Sequence, residues 1–311
     1  MVSYIKPAKY KGVFIMSQSY YISACSTVDL TNDYMKERNI PYVSFQYFLD
    51  EVPHKDDMGE SMSLREFYDS MREGSMTSTS QVSIQAYTEH FEKMLMEGKD
   101  VLHMTLSSGI SGSINSALVA DEELREKYPE RKLYVEDSFA ASSGYGLLMD
   151  ELADRRDAGA TIDELHEWVL ENRLKCNHWF FTTDLTYLVR GGRVSKTSGA
   201  IGNLLNICPL LNVDYMGRLI AREKIRGKKK VIRRTLEMMK EKARDGLDYS
   251  GKVFICNSDC YEDAKELADM IEETFPKMDG SVQIFNIGTV IGSHTGPGTV
   301  ALFFWGDERV D

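Results

Sequence analysis

What most constrains this chain is the order of its apolar stretches: through the first half, short β-rich runs alternate with longer amphipathic ones. The runs "YYISACST" (20–27), "PYVSFQYF" (41–48), "DVLHMT" (100–105) and "RKLYVED" (131–137) read as strands. Between and after them, "TNDYMKERN", "SLREFYDSMREG", "SIQAYTEHFEKMLMEG", "INSALVADEELREKY" and "GYGLLMDELADRRDAG" read as helices. Helix signals agree: Thr31 or Asn32 can cap the first, Ser63-x-x-Glu66 is a capping box, and Gly74 and Gly98 sit where C-caps fall. Strands joined by helices imply crossover connections and a parallel α/β sheet, whose ligands bind at the strand C-ends.

The pattern changes near Gly159. A second capping box, Thr161-x-x-Glu164, opens a helix, and "HWFFTT" reads as a strand. "LNVDYMGRLIAREKI" (211–225) reads as a hairpin around a Met-Gly turn. Helices at 230–246 and 261–275 alternate with strands at 251–257 and in the last stretch, "VQIFNIGTVIGSHTGPGTVALFFW". This mixture predicts an α+β domain. The expected organisation is an N-terminal parallel-sheet, Rossmann-like α/β domain over 1–158 and a C-terminal α+β domain over 159–311, a length suited to two domains.

Bulk properties exclude several classes. The formal net charge is -11, which repels nucleic acid and anionic membranes at long range. Five cysteines, an odd number in a long chain, argue against a disulfide framework. The opening "MVSYIKPAKYKG" has no apolar signal core, and no run approaches the roughly 18 apolar residues of a membrane span. A reduced, cytoplasmic protein is expected. No metal is expected either: Cys256-x-x-x-Cys260 lacks a second pair and no H-E-x-x-H occurs. A Walker-type loop is absent, and Gly144-x-Gly146 lacks the third glycine of a dinucleotide fingerprint.

Chemistry concentrates in hydroxyl-rich turns. "LSSGISGSINSA" (106–117) joins a strand to a helix expected to start near Ser111, so free N–H groups and the positive dipole end would face an anion. "GSMTSTSQVS" (74–83) reads as a loop with a cap at Ser83, and "VEDSFAASSGYG" (135–146) is again strand, polar turn, helix. "YLVRGGRVSKTSGAIGNLLNICPLL" (187–211) carries Arg190, Arg193 and Lys196 around paired glycines, and "IGSHTGPGT" (291–299) places His294 in a polar turn. Two readings stay open on these residues. The turns hold an anion, or Ser111 attacks with His294 as base, although Gly109-Ile110-Ser111-Gly112-Ser113 lacks the second glycine of a nucleophile elbow. "REKIRGKKKVIRR" (222–234) is the one basic cluster: a solvated face, a nucleic-acid patch without aromatics, or a dock for an acidic or phosphorylated partner.

Taken in order, "TSQ", "LSSGISGSINSA", "EDS" with S-G-Y-G, "LVRGGRVSKTSGAIGNLLNICPLL", "KIRGKKK" and "IGSHTGPGTVALFF" resemble the DegV family, from about Tyr20 to the C-terminus. That family includes the fatty-acid-binding subunits of bacterial fatty acid kinases. The resemblance implies a long-chain fatty acid between two α/β domains. It implies a carboxylate held by Thr79 and Ser111 with Gly112, and His294 assisting at the head group. Ser80, Ser108 and Arg193 would be further head-group or phosphate contacts. A separate kinase catalytic subunit, docked near Arg226 and Lys228, would phosphorylate the bound carboxylate to an acyl phosphate used in phospholipid synthesis. The chain itself would contribute no catalytic residue and no cofactor, and no nucleic acid would be bound. The runner-up is a stand-alone acyl hydrolase or transferase using Ser111 and His294. One departure is Cys25, in "CST", where the family usually has Asp-Ser-Thr. Sixteen methionines offer pliable lining for an acyl chain. Burying a sixteen-carbon chain at roughly 0.8 kcal/mol per methylene offers on the order of 10 kcal/mol before ordering costs.

Overall fold

A computed structural model describes residues 19–195 and 206–310. Lys196, one of the cations noted above, lies outside the described residues. Strands β1 (Tyr20–Cys25), β2 (Tyr42–Val43), β6 (Asp100–Thr105) and β7 (Leu133–Asp137) form a parallel sheet in the order β2-β1-β6-β7. Strands β1 and β6 are buried almost throughout, as central parallel strands covered on both faces must be. Their crossovers include α1 (Asn32–Glu37), α3 (Ile84–Met96) and α4 (Ser113–Lys127), and α5 (Ser142–Asp157) follows β7.

The run "PYVSFQYF" splits. Only Tyr42–Val43 joins the parallel sheet, and Gln46–Leu49 becomes β3 of a separate antiparallel sheet, β4-β3-β5. Its partners are β4 (Val52–Lys55) and β5 (Thr77–Ser80). The "TSTSQ" stretch expected as a loop is therefore largely strand. Pairing with β3, which puts Thr79 opposite Tyr47, overrides the turn preference of its serines and threonines. Between β4 and β5, α2 (Leu64–Arg72) begins with the expected Ser63–Glu66 capping box.

After α5 come α6 (Ile162–Asn172), capped by the Thr161–Glu164 box, then β8 (Cys176–Phe181) and α7 (Thr186–Arg190). The hairpin β9 (Ile207–Val213) and β10 (Leu219–Arg226) leads into α8 (Lys228–Lys242), β11 (Val253–Asn257) and α9 (Tyr261–Thr274). The chain ends with β12 (Gln283–Asn286), α10 (Thr289–Thr295) and β13 (Val300–Trp305). These strands make a six-stranded sheet, β10-β9-β8-β13-β11-β12, antiparallel except for β11 beside β12. The expected fold class, a parallel α/β sheet followed by a mixed α+β region, is met. Helix α5 packs on β1 and also on β8, β11 and β13, so it forms part of the core between the two large sheets. The segment "IGSHTGPGT", expected as a turn, holds the end of a short helix, with His294 in the last turn of α10.

Candidate functional site

The turn after β6 is fixed by close backbone approach. A Cβ on Gly109 would lie 2.5 Å from the Gly217 carbonyl, so only glycine lets this turn meet the β9–β10 hairpin. The Ser107 hydroxyl seals the contact by donating to the Gly217 carbonyl at 2.8 Å. The Ser111 N–H bonds the Ser107 carbonyl at 3.1 Å, and the Ser111 hydroxyl accepts from the Ser113 N–H at 3.2 Å. Helix α4 thus starts two residues later than expected, with Ser111 in the turn before its first residue rather than inside it.

This turn forms one wall of a cavity of about 300 Å³ at the seam of the sheets, near the lower end of the roughly 300–1,000 Å³ usual for small-molecule sites. Thr79, Ser80, Gln81, Ser111, Gly112, Arg193 and His294 all line it. Its apolar walls include Leu106 and Ile110 from the turn, Phe180 and Leu188 around α7, and Val290, Ile291 and Phe303 from the end of the chain. Several polar groups are tied into one cluster. Thr79 Oγ1 and His294 Nε2 are hydrogen-bonded at 2.8 Å, and His294 Nδ1 packs on Gly191, where a Cβ would stand 2.2 Å away. The Arg193 guanidinium donates to the Gly191 carbonyl at 2.5 Å and to the Ile110 carbonyl at 3.1 Å, joining the glycine pair to the Ser/Gly turn.

Electrostatics follow from burial. His294 is pushed down to about 4, first by burial and then by Arg193 and Arg190, so its ring is neutral near pH 7. Its Nδ1 is buried with no hydrogen-bond partner among the described residues. With the ring proton on Nε2, the neutral imidazole donates to Thr79. That leaves the Thr79 hydroxyl proton free to point into the cavity. Arg193 has no carboxylate ion-pair partner among the described residues, and partial burial lowers its pKa. Among the described residues no Asp or Glu lines the cavity. The result is a neutral-to-cationic donor cluster inside an acidic chain.

The catalytic alternative needs a base on Ser111 and an orienting group on that base. His294 instead bonds Thr79, its Nδ1 lacks an orienting acid, and the Ser111 hydroxyl is engaged with the α4 backbone. Ser108 stands apart from the other expected contacts: it is exposed, lies outside the lining, and its backbone N–H donates to the Asp137 carboxylate. Arg226 and Lys228 are also outside the lining. Both are exposed, and Lys228 pairs with Asp263 at 2.9 Å.

Cys25 takes a supporting place. It is buried, its thiol lies 3.3 Å from the Tyr87 hydroxyl and 3.6 Å from His103 Nε2, and burial pushes it up to about 11. Tyr87 in turn shares a 2.8 Å hydrogen bond with Ser113, the first residue of α4. Gln81, legible only as part of its motif, and Gly191, legible only as one of two paired glycines, both shape the site. A Cβ on Gly112 would come within 2.8 Å of Gln81 Oε1, and Gly191 is what makes room for His294.

The profile described as "Uncharacterised protein, DegV family" matches residues 22–307. A DegV domain-containing protein of Clostridium perfringens is 39% identical over 292 residues, covering 94% of this chain and 99% of that one. Among solved structures, a hypothetical protein of Thermotoga maritima whose structure "reveals fatty acid binding function" shares 28% identity with a TM-score of 0.80, covering 93% of this chain and all of that one. The Streptococcus pneumoniae Fatty Acid Kinase (Fak) B3 protein loaded with linoleic acid shares the fold, at a TM-score of 0.80, 23% identity and 93% coverage of this chain. With the profile spanning nearly the whole chain and the relative matching it almost end to end, the chain belongs to the DegV family.

Proposed function

We propose that this chain binds one long-chain fatty acid in the cavity and presents its carboxylate to a partner kinase. The observation that carries the reading is the Thr79–His294–Gly191–Arg193–Ile110 chain of contacts, which sets hydroxyl and guanidinium donors beside Ser111 against otherwise apolar walls. The acyl chain lies along Leu106, Phe180, Leu188 and Phe303, where burial supplies the affinity. The carboxylate accepts from the Thr79 and Ser111 hydroxyls, and the charge of Arg193 favours the anion. Gly112 and Ser80 frame the same end. Thermotoga and pneumococcal relatives described as binding fatty acids support the ligand class.

In the kinase step a carboxylate oxygen takes the terminal phosphoryl group of the kinase's nucleotide. The nucleotide diphosphate leaves, and an acyl phosphate is available to phospholipid synthesis. Arg226, exposed at the end of β10, with Lys228 beside it, forms the docking point. A cytoplasmic location and a domain boundary near residue 158 belong to the same proposal. Among the described residues no helix is long and apolar enough to cross a membrane.

Mass spectrometry of an organic extract from protein made in a bacterial host tests the ligand. A stoichiometric C14–C18 acid is expected in the wild type. Absence of lipid, with none taken up on addition, overturns the reading. Turnover of acyl esters by the chain alone would restore the hydrolase. Arg226→Glu should slow phosphorylation by the partner kinase while leaving the lipid content unchanged.

A further inference from the structure

Arg309 follows the last strand, and it is buried at 6% exposure. Its guanidinium meets five backbone carbonyls. Nε donates to Leu174 at 3.3 Å, one terminal nitrogen to Asp214 at 3.1 Å and Val213 at 3.5 Å, and the other to Phe139 at 2.9 Å and Arg173 at 3.3 Å. Five N–H groups are the full donor complement of an arginine. The neighbouring carboxylates are engaged elsewhere. Asp214 pairs with Arg218 at 2.7 Å, and Asp137 accepts from the backbone N–H groups of Ser108 and Phe139. Burial draws the guanidinium down to about 10, so it stays charged near pH 7. A buried charge is costly unless it is fully hydrogen-bonded, so Arg309 and the segments around it hold one another in place.

The five carbonyls come from three segments. Arg173 and Leu174 precede β8, Phe139 sits in the turn after β7, and Val213 and Asp214 enter the β9–β10 turn. Two of the three press on the Ser/Gly turn. The hairpin does so through Gly217, whose carbonyl accepts from the Ser107 hydroxyl at 2.8 Å. The β7 turn does so through Asp137, which accepts from the Ser108 N–H at 3.1 Å. They also meet each other: a Cβ on Gly217 would stand 3.2 Å from Phe139 Cα. The third segment joins them, since Arg173 donates to the Asp137 carbonyl at 2.8 Å and lies over the Phe139 ring. The turn so held carries Ser111, whose N–H bonds the Ser107 carbonyl. We propose that Arg309 is a positioning residue for the carboxylate site: by tying the hairpin to the β7 turn it fixes residues 107–111, and with them the Ser111 hydroxyl. Lysine offers three donors from one point and cannot reach carbonyls spread over three segments. The effect on lipid rests on the proposed fatty-acid binding, whereas the clamp itself is measurable without lipid.

The full chain is compared with Arg309→Lys, Arg309→Met and Ser107→Ala, the last cutting the same route closer to Ser111. Hydrogen exchange should speed up in peptides covering 106–112 and 213–219, while peptides of α9 keep the wild-type rate. Palmitate, measured by displacement of a fluorescent fatty acid, should bind about tenfold more weakly to the folded variants. Because Arg309 acts through Ser111, adding Arg309→Lys to Ser111→Ala should weaken binding by less than about twofold more. A lower melting temperature with unchanged exchange over 106–112 overturns the proposal and makes Arg309 a general packing residue. An equal loss of affinity with Ser111 present or absent also overturns it, because Arg309 would then act on another part of the cavity. Ser107→Ala decides should both Arg309 variants fail to fold: wild-type exchange and affinity there overturn the proposal. If the wild type takes up no fatty acid, the lipid reading falls, and exchange over 106–112 decides the clamp by itself.

Discussion

The two cavities that border α10 pose opposite electrostatic problems. The larger has a half-buried arginine and a neutral histidine and no acid in its lining. The smaller, at the N-terminal end of α10 between Ser26, Asp29, Asp56 and Gly288, has two buried carboxylates and, among the described residues, no cationic side chain in its lining. The chain as a whole is acidic, so neither sign follows from net charge. What decides is which groups the backbone brings to each end of one seven-residue helix. Gly191 lets His294 close against the cationic end, and the N–H of Gly288 and hydroxyl of Thr289 face the anionic end. An anion suits the first cavity, whereas at the second the acids are already answered by hydroxyl and backbone donors.

The largest effect that tests this contrast is loss of the hydroxyl donors. Thr79→Ala with Ser111→Ala removes two hydrogen bonds to a charged head group, at about 1.5–3 kcal/mol each. Lipid affinity should fall by roughly 10²–10⁴-fold. Competition with a fluorescent fatty acid measures it. A double variant that still retains stoichiometric lipid would remove the anion from the larger cavity.

Next comes pH, where the two ends carry opposite slopes. His294 has a folded pKa of about 4, below its ordinary value, so the unfolded chain binds the extra proton between the two. Its contribution is fully present above about 6.5 and is lost as pH falls toward 4, in total about 3 kcal/mol. Asp29 is raised well above its ordinary value by burial, and Asp56 is raised too. Their contribution is fully present below the unfolded carboxylate range and is lost as pH rises through the folded values. His90, His103 and His178 are also depressed by burial and share the first slope, so variants are needed to isolate each end. Urea unfolding of His294→Gln should show a shallower loss on acidification than the wild type. Asp29→Asn should flatten the decline on the alkaline side. Parallel curves for wild type and both variants would refute the contrast.

The larger cavity was far more legible in the sequence than the smaller. Turn chemistry announces itself: glycines and serines between a strand and a helix mark Ser111 and Gly112, and a guanidinium beside paired glycines marks Arg193. Thr79 follows from the family resemblance, but its strand does not follow from the sequence, because β5 exists only through pairing with β3. The placement of Ser108 was hidden for a related reason. The turn leaves Ser108 exposed between the lining residues Leu106 and Ile110, and a turn has no fixed period from which spacing could tell which side chains enter the cavity. Asp29 and Asp56 are 27 residues apart and meet only because β12 and α10 arrive from the far end of the chain, with Gly288 bonding back to Asp29. A lone Asp in "VDL" and a pair in "KDDM" look like ordinary surface acids. Cys25 was legible as a departure but not as a support for α4 through Tyr87 and Ser113.

A smaller effect is expected from Gly191→Ala. The new Cβ would stand 2.2 Å from His294 Nδ1, so the ring or the α7 loop must move. Overpacking of this kind costs about 1–3 kcal/mol. Lipid affinity should drop with stability, while the alkaline decline set by Asp29 at the other end of α10 stays as in the wild type. A change in both at once would mean that the helix moves as one body and that the two ends are not separable.

The smallest expected effect is also the sharpest, because Ser142 touches both cavities. It lines the larger one, yet its hydroxyl donates to Asp29 in the smaller and lies 3.0 Å from the Cys256 sulfur. Its φ of 55° is left-handed, a conformation that hydrogen bonding of the side chain helps to hold. Ser142→Ala removes one donor from a buried carboxylate and should cost about 1–3 kcal/mol of stability. Since that donor draws the Asp29 pKa down, its loss raises the pKa further and steepens the alkaline decline. The hydroxyl is committed to Asp29 and not to the ligand, so lipid affinity should change by no more than about threefold, under 1 kcal/mol. A large loss of lipid with an unchanged pH profile would reverse the assignment: Ser142 would serve the lipid cavity, and Asp29 would be held by Gly288 alone.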